Sequence, residues 1–148
     1  NRMLVNKQFA YLHQGENLTA LDRVSYVDLQ DEKRQLLAKQ AAIAKQLKGR
    51  KNDQTLKSQH SETGSRIQML TTSLPKCFKW KIPCGHPIGF AMGGNTLYVG
   101  GDGIVMAFNA SNGKKQWSAK VDGKAYGLAI SNGRLLVSTD KGHIHCFQ

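Results

Sequence analysis

Short apolar segments alternate with turn-forming residues at both ends of the chain. Segments near 3–5, 88–92 and 126–130 are each followed by a turn that contains Asn, Gly or both. A second and a third apolar segment follow each of them, and these superpose as 9–22, 96–109 and 135–147. The Asn and Gly residues of these turns favour tight hairpins between antiparallel strands. The pattern predicts a strand, turn, strand, turn, strand unit that occurs three times.

Two of these units are followed by a fourth strand. Segments 77–82 and 115–121 alternate apolar with polar residues and carry Trp80 and Trp117, which is typical of half-buried strands. Leu97 and Leu135 stand 38 residues apart, close to the roughly 40 to 45 residues of one four-stranded propeller blade. We therefore expect about three antiparallel blades, and the third reaches Gln148 before a fourth strand.

The first unit contains a long insertion. Asp22 precedes Trp80 by 58 residues, whereas Asn109 precedes Trp117 by 8, so about 50 residues are added between the third and fourth strands. The insertion has apolar and polar positions at an alternating spacing of four and three: Leu29, Lys33, Leu36, Gln40, Ile43 and Leu47, then Leu56, His60, Thr63, Ile67, Leu70 and Leu74. With Gly49 and Asp53 between the two runs as helix-end signals, this predicts an antiparallel coiled-coil hairpin.

The predicted fold class is mainly β with an α-helical insert. We expect the following organisation: strands 1–3 of the first blade at 1–24, the hairpin at 25–75, the fourth strand of that blade at 76–85, the second blade at 86–122 and the incomplete third at 123–148.

The hairpin on its own has a mixed interior. When it is folded back on itself, three of its six layers contain a polar residue, for example Ile43 against His60. Such layers pack less well than apolar ones, and short helices are rarely stable through propensity alone. Contact with a partner is one interpretation, and a solvated spacer is the other.

Positive charge is concentrated on the insertion. The chain has a net charge of +11, and residues 23–81 hold 13 Lys or Arg against 5 Asp or Glu. The basic residues cluster at the predicted hairpin tip: Lys45, Lys48, Arg50, Lys51 and Lys57. A solvated charged tip is one interpretation, and a tip that meets an acidic protein face or an anionic surface is another. Nucleic acid is a less favoured alternative, because the tip lacks the aromatic residues on which bases stack.

Metal binding and catalysis have weak support. Cys84, His86, His143 and His145 are the candidate metal ligands, but no Cys-x-x-Cys pair prepares a zinc site. Cys77 and Cys84 offer a possible disulfide, which the odd number of cysteines leaves open. We expect Cys146, at the repeat position of Ala107 and Ala20, to be a small buried residue. No spacing implies a partner for His13, and no catalytic motif is present.

The segment 107–117 carries the clearest family signal. It resembles the Ala-x-Asp-x-x-Thr-Gly-x-x-x-Trp repeat of the quinoprotein alcohol dehydrogenase-like (PQQ-repeat) propellers, with Asn109 and Asn112 in place of Asp and Thr. The insertion is similar to those of large planctomycete-type bacterial members. The resemblance implies that one blade docks on the next through this motif. The implied docking residues are Asp22, Trp80, Asn109, Gly113 and Trp117.

The resemblance also limits which activities we expect of this chain. True dehydrogenases of this family bind pyrroloquinoline quinone (PQQ) and Ca²⁺ with an adjacent Cys pair and carboxylate or amide ligands, none of which maps onto this chain. Other relatives are scaffolds, among them an outer-membrane protein assembly lipoprotein. We therefore expect a non-catalytic, periplasmic or extracytoplasmic module without its own cofactor, which binds a protein or self-associates. Part of a PQQ- and Ca²⁺-dependent oxidoreductase is the alternative.

Overall fold

The chain is mainly β with two helices, as its sequence predicts. The computed structural model describes residues 2–86 and 88–148; Asn1 and Pro87, which belong to the predicted first and second blades, lie outside the described residues. The chain divides into two compact units, one of Asn1–Leu21 with Lys79–Gln148 and the other of Asp22–Phe78. The first holds the sheets and the second the helices.

The described elements follow one another in a simple order. The strands are β1 (Arg2–Val5), β2 (Phe9–Gln14), β3 (Asn17–Asp22), β4 (Phe78–Pro83), β5 (Gly89–Gly93), β6 (Thr96–Gly100), β7 (Asp102–Asn109), β8 (Lys115–Ser131), β9 (Arg134–Thr139) and β10 (Ile144–Phe147). Between β3 and β4 lie helices α1 (Arg23–Gly49) and α2 (Gln54–Ser73) and a short 3-10 helix (Leu74–Cys77).

The strands form two antiparallel sheets. The four-stranded sheet has the order β1-β2-β3-β4, so the strand that carries Trp80 lies beside β3 although 55 residues separate them in sequence. The six-stranded sheet has the order β10-β9-β8-β7-β6-β5. Neighbouring strands in each sheet are also successive strands in the chain, as expected for hairpin connections.

β8 is longer than its sequence suggests. The pattern predicts separate strands at 115–121 and 126–130, but the structure has one strand, Lys115–Ser131. Its first part pairs with β7 and its second with β9, with register shifts near the change of partner. The backbone remains extended there because Lys124 still pairs with Asp102 while Ala125 already pairs with Thr139. Gly123, at φ +94°, lies in an irregular stretch where residues 121–123 of β8 oppose only residue 103 of β7.

The core of the sheet unit lies in two layers. One packs the four-stranded sheet against β6 and β7 and is centred on Leu18, Leu97 and Phe108. The other packs β7 and β8 against β9 and is centred on Val105, Ala125 and Val137. Alternate residues of β7 enter different layers, as expected for a strand with both faces covered.

Strand β5 and the second half of β8 lie unusually close together. A Cβ atom added at Gly89 would stand 2.7 Å from the Ala125 carbonyl oxygen and 3.1 Å from the Leu128 side chain. At Gly93 it would stand 3.0 Å from Ile130. A side chain at Gly89 would therefore collide with the backbone of β8, and one at Gly93 would press on the Ile130 side chain.

The helical unit has the inward face that the sequence predicts. Each helix begins at an aspartate: Asp22 accepts a hydrogen bond from the Ser25 N–H at 3.3 Å, and Asp53 from the Leu56 N–H at 3.1 Å. All twelve positions of the four-three spacing are buried or half-buried, and Ile43, Thr63 and Leu70 are buried most deeply. The polar layers are thus inside the unit and not on its surface.

Shortening a buried side chain tests whether packing in this interior stabilises the hairpin. Leu70 is only 2% exposed, whereas its neighbour Met69 is 59% exposed. We expect Leu70→Ala to lower the free energy of unfolding by about 2 to 5 kcal/mol, because it leaves a cavity. Urea unfolding followed by far-ultraviolet circular dichroism measures the change. Met69→Ala is the matched control and should change stability by less than about 0.5 kcal/mol; equal losses would contradict the assigned interior.

Candidate functional site

A tight turn follows β7 and forms one side of the candidate site. The Asn109 side-chain oxygen accepts a hydrogen bond from the Ser111 N–H at 2.9 Å, and the Gly113 N–H donates to the Asn109 carbonyl at 2.8 Å. The Asn112 side chain accepts from the Lys114 N–H at 2.9 Å. Gly113 has φ +72°, which glycine adopts without strain. The polar residues of the motif therefore shape the turn locally.

The Trp80 indole lies directly on this turn. A Cβ atom added at Gly113 would stand 2.9 Å from the indole Cδ2 and Cε3 atoms, so the ring occupies the space that a side chain would fill. The indole N–H donates to the Ala110 carbonyl at 3.0 Å. The Tyr11 ring packs beside it, with centroids 6.1 Å apart. Trp80 thus joins the four-stranded sheet to the turn after β7 through both packing and a directed hydrogen bond.

The structure brings together three of the five docking candidates. Trp80 and Gly113 are in contact, and Asn109 holds the turn on which Gly113 lies. Asp22 instead lies at the N-cap of α1, where its carboxylate accepts from a backbone N–H. The sequence analysis did not identify Tyr11 or the Ala110 carbonyl. The apolar pattern of β2 marks Tyr11 as a sheet residue, but nothing in the sequence assigns it to Trp80.

Trp117 occupies the matching position on β8, but its surroundings differ. Its ring packs near Tyr98 and Phe147, with centroids 6.4 and 5.6 Å away. Within the described chain no acceptor lies within hydrogen-bond distance of the Trp117 indole N–H, and no glycine turn covers the ring. Like Trp80, Trp117 therefore has aromatic neighbours, but its indole N–H has no hydrogen-bond acceptor in the described chain.

The outer face of β9 and β10 is apolar and open. Ile144 is 74% exposed and Leu136 is 38% exposed, and the two lie on the same face as Cys146 because Cys146 pairs with Leu136 across the strands. The expectation of a buried Cys146 is therefore wrong. Its repeat equivalent Ala107 is fully buried because β8 and β9 cover β7, whereas no described element covers this face of β10.

His13 is a buried polar residue that the sequence did not place. Its side chain is 1% exposed, its ring meets Phe90 edge-on at 6.5 Å, and its Nε2 atom has no hydrogen-bond partner in the described chain. Burial lowers the pKa of His13, although a hydrogen bond with the backbone of Cys84 opposes this shift. The imidazole is therefore held neutral inside the sheet unit.

The metal-ligand candidates fall into two separate places. Cys84 and His86 line an open groove of about 570 Å³, and burial raises the pKa of the Cys84 thiol. His143 immediately precedes β10 and His145 lies on it; His143 Nδ1 is 3.1 Å from the Asp122 carboxylate, and His145 Nε2 accepts from the Asp122 N–H. No group of three or more His, Cys, Asp or Glu residues in the described chain could hold a metal ion.

The three cysteines are free thiols. Cys77 and Cys84 are both buried, but no disulfide joins them. The basic residues of the hairpin tip, in contrast, are all exposed: Lys45, Lys48, Arg50, Lys51 and Lys57.

A methyl group at Gly113 tests the Trp80 contact. Gly113→Ala combines the strain of a positive φ with a clash against the indole, whereas Gly133→Ala has the same strain, at φ +73°, and open space around it. We expect Gly133→Ala to cost about 1 kcal/mol of unfolding free energy and Gly113→Ala at least about twice as much. Chemical unfolding followed by tryptophan fluorescence measures both variants, and equal costs would refute the assigned contact.

The buried His13 predicts a loss of stability in mild acid. Because burial lowers the pKa of His13 in the folded chain, the unfolded chain takes up a proton first as the pH falls below about 6.5. The folded state is then destabilised by up to about 1.4 kcal/mol per pH unit until His13 itself is protonated. His13→Gln should show a shallower decline between about pH 7 and pH 5. Parallel stability curves for the two proteins would contradict this origin of the effect.

Comparison with known proteins identifies the family. Among the described residues no helix is long and apolar enough to cross a membrane. No curated protein matches the chain. One family model matches residues 50–148, more than half of the chain, and it is described as outer membrane protein assembly factor BamB. The matched region includes Trp80, the turn at Gly113 and Trp117. The chain therefore belongs to this family of PQQ-like repeat proteins.

Proposed function

We propose that the chain is a non-catalytic part of a PQQ-like β-propeller that acts as a protein-binding or scaffold module. The observation that carries this proposal is the contact of Trp80 with Gly113 and Ala110, through which one sheet docks on the turn after β7. The exposed apolar face around Ile144 supports it, because such surfaces are typical of docking sites.

The arrangement of strands supports three blades. In this proposal β1–β4 form the first blade, interrupted by the hairpin at 25–75, and β5, β6, β7 and the first part of β8 form the second. The second part of β8 then begins the third blade with β9 and β10. The close approach of β5 to the second part of β8 supports this, because the first strands of successive blades meet near a propeller axis. The proposed boundaries remain 1–24, 76–85, 86–122 and 123–148.

The exposed apolar face of β9 and β10 indicates the class of partner that binds there. Ile144, Leu136 and Cys146 offer an apolar surface on one face of β9 and β10. Trp117 lies on the opposite face of β10, where its ring packs against Phe147. We propose that another PQQ-like repeat covers the face around Ile144, either from the same propeller or from a second copy of the chain.

We also propose that this chain binds neither PQQ nor Ca²⁺. The chain contains no adjacent cysteine pair, and the described residues lack a group of donors suited to a metal ion. If the parent protein is an oxidoreductase, its active site then lies outside this chain. Titration with PQQ and Ca²⁺ tests this point: saturable cofactor absorbance with alcohol-dependent dye reduction would overturn it.

The proposed location is extracytoplasmic, in the bacterial periplasm. It rests on the family alone, whose description refers to assembly at the outer membrane.

Light scattering tests the open face directly. We expect the wild-type chain to associate at micromolar concentrations and to bind a hydrophobic dye, because the face around Ile144 is apolar and uncovered. Ile144→Glu should return the mass to that of one chain and reduce the dye signal. Met69→Glu, which places the same charge at an exposed site of α2, is the control and should leave association unchanged. A wild-type monomer that binds no dye would refute docking through this face.

A further inference from the structure

The two halves of the helical hairpin differ sharply in charge. Residues 39–57, which we name the tip, hold six Lys or Arg against one Asp; the remaining residues of 22–78, the base, hold five against five. The net charge of the helical unit therefore lies entirely in its tip. Helix formation does not require this, because only Lys48 lies where it can stabilise the C-terminal end of a helix.

Ion pairs in the described hairpin occur only in the base. Arg66 forms two hydrogen bonds to the Glu32 carboxylate, at 2.7 and 3.0 Å, and Arg34 pairs with Asp31. In the base, these positive charges are therefore at least partly neutralised by neighbouring carboxylates. The six tip cations are exposed and have no acidic partner among the described residues, and the single acid there, Asp53, caps α2 through the Leu56 N–H. The tip therefore presents uncompensated positive charge to solvent.

The tip cations are distributed around the hairpin. At 3.6 residues per turn, Lys45 and Lys48 lie on one side of α1, and Lys39 points away from Lys48. Lys57 lies on α2. A partner that meets one side of the hairpin would reach only some of these cations. A broad negatively charged plane approached end-on can reach the five cations from Lys45 to Lys57, whereas Lys39 lies about 15 Å further back along α1.

The tip also lacks the residues on which other classes of partner depend. Among the described residues the large exposed apolar side chains of the hairpin are Val24, Val27, Leu37, Met69 and Phe78, all in the base. Protein interfaces depend on aromatic and apolar anchors, and single-stranded nucleic acids on stacking aromatics. A charged bilayer requires neither, since Lys and Arg near an anionic surface contribute through their charge alone.

We propose that the hairpin tip binds the surface of a bilayer rich in anionic phospholipid headgroups. Binding is electrostatic and peripheral, with the five cations from Lys45 to Lys57 near the phosphate plane and no insertion of apolar side chains. Each cation then strengthens partitioning by about fivefold, and the interaction weakens as salt screens it. This surface is independent of the propeller contacts, so either proposal can fail without the other.

Sedimentation with lipid vesicles tests the proposal on the full chain. The wild-type chain should bind vesicles of phosphatidylcholine with about 30% phosphatidylglycerol at about 50 mM salt, bind pure phosphatidylcholine far less, and dissociate as salt rises. The tip variant Lys45→Glu, Lys48→Glu, Arg50→Glu, Lys51→Glu should lose at least about 100-fold in partitioning. Because these side chains are exposed, circular dichroism should show the helices retained.

A matched control separates the tip from the overall charge. Lys114→Glu, Lys115→Glu, Lys120→Glu, Lys124→Glu reverses the same number of exposed positive charges on the sheet unit and should retain most of the binding. Equal losses in the two variants would overturn the proposal, as would absence of binding to the anionic vesicles. Tip-dependent binding of single-stranded RNA or duplex DNA that is tighter than vesicle binding at the same salt would also overturn it, in favour of nucleic acid.

Discussion

The contact of the Trp80 indole with the turn at Gly113 is the interaction on which the sheet unit depends. Because Gly113 has no Cβ atom, the indole ring can approach the backbone of the turn, and the hydrogen bond to the Ala110 carbonyl fixes the orientation of the ring. Strand β4, which brings Trp80 to this place, returns to the first sheet only after the entire hairpin. The pairing of β4 with its sheet and the docking of that sheet on β7 are therefore linked through one side chain.

Close approach also occurs between β5 and the second part of β8. Gly89 lets β5 meet the Ala125 carbonyl, and Gly93 lies against the Ile130 side chain. The face around Ile144 is exposed, in contrast, because no described strand lies against it.

The helical unit follows a different principle. Its interior contains polar residues such as Thr63. The Thr63 hydroxyl donates a hydrogen bond to the Gln59 carbonyl at 2.6 Å, so this buried polar group has a hydrogen-bond partner within its own helix. The layers that look unfavourable in sequence are thus less costly once folded. The unit can then carry a strongly charged tip, because its stability comes from the buried interior and not from its exposed ion pairs.

Sequence alone determined the elements, since periodicity and helix caps are local: it predicted the strands, the inward positions of both helices and the cluster of cations at the tip. The family resemblance named Trp80 and Gly113 as docking residues of two successive repeats, but it did not pair them with each other. Only the tertiary structure decided that 115–131 forms one strand, that Cys146 is exposed and that His13 is buried without a partner for Nε2. Each of these depends on which segment covers another, and contacts between distant segments leave no local pattern in the sequence.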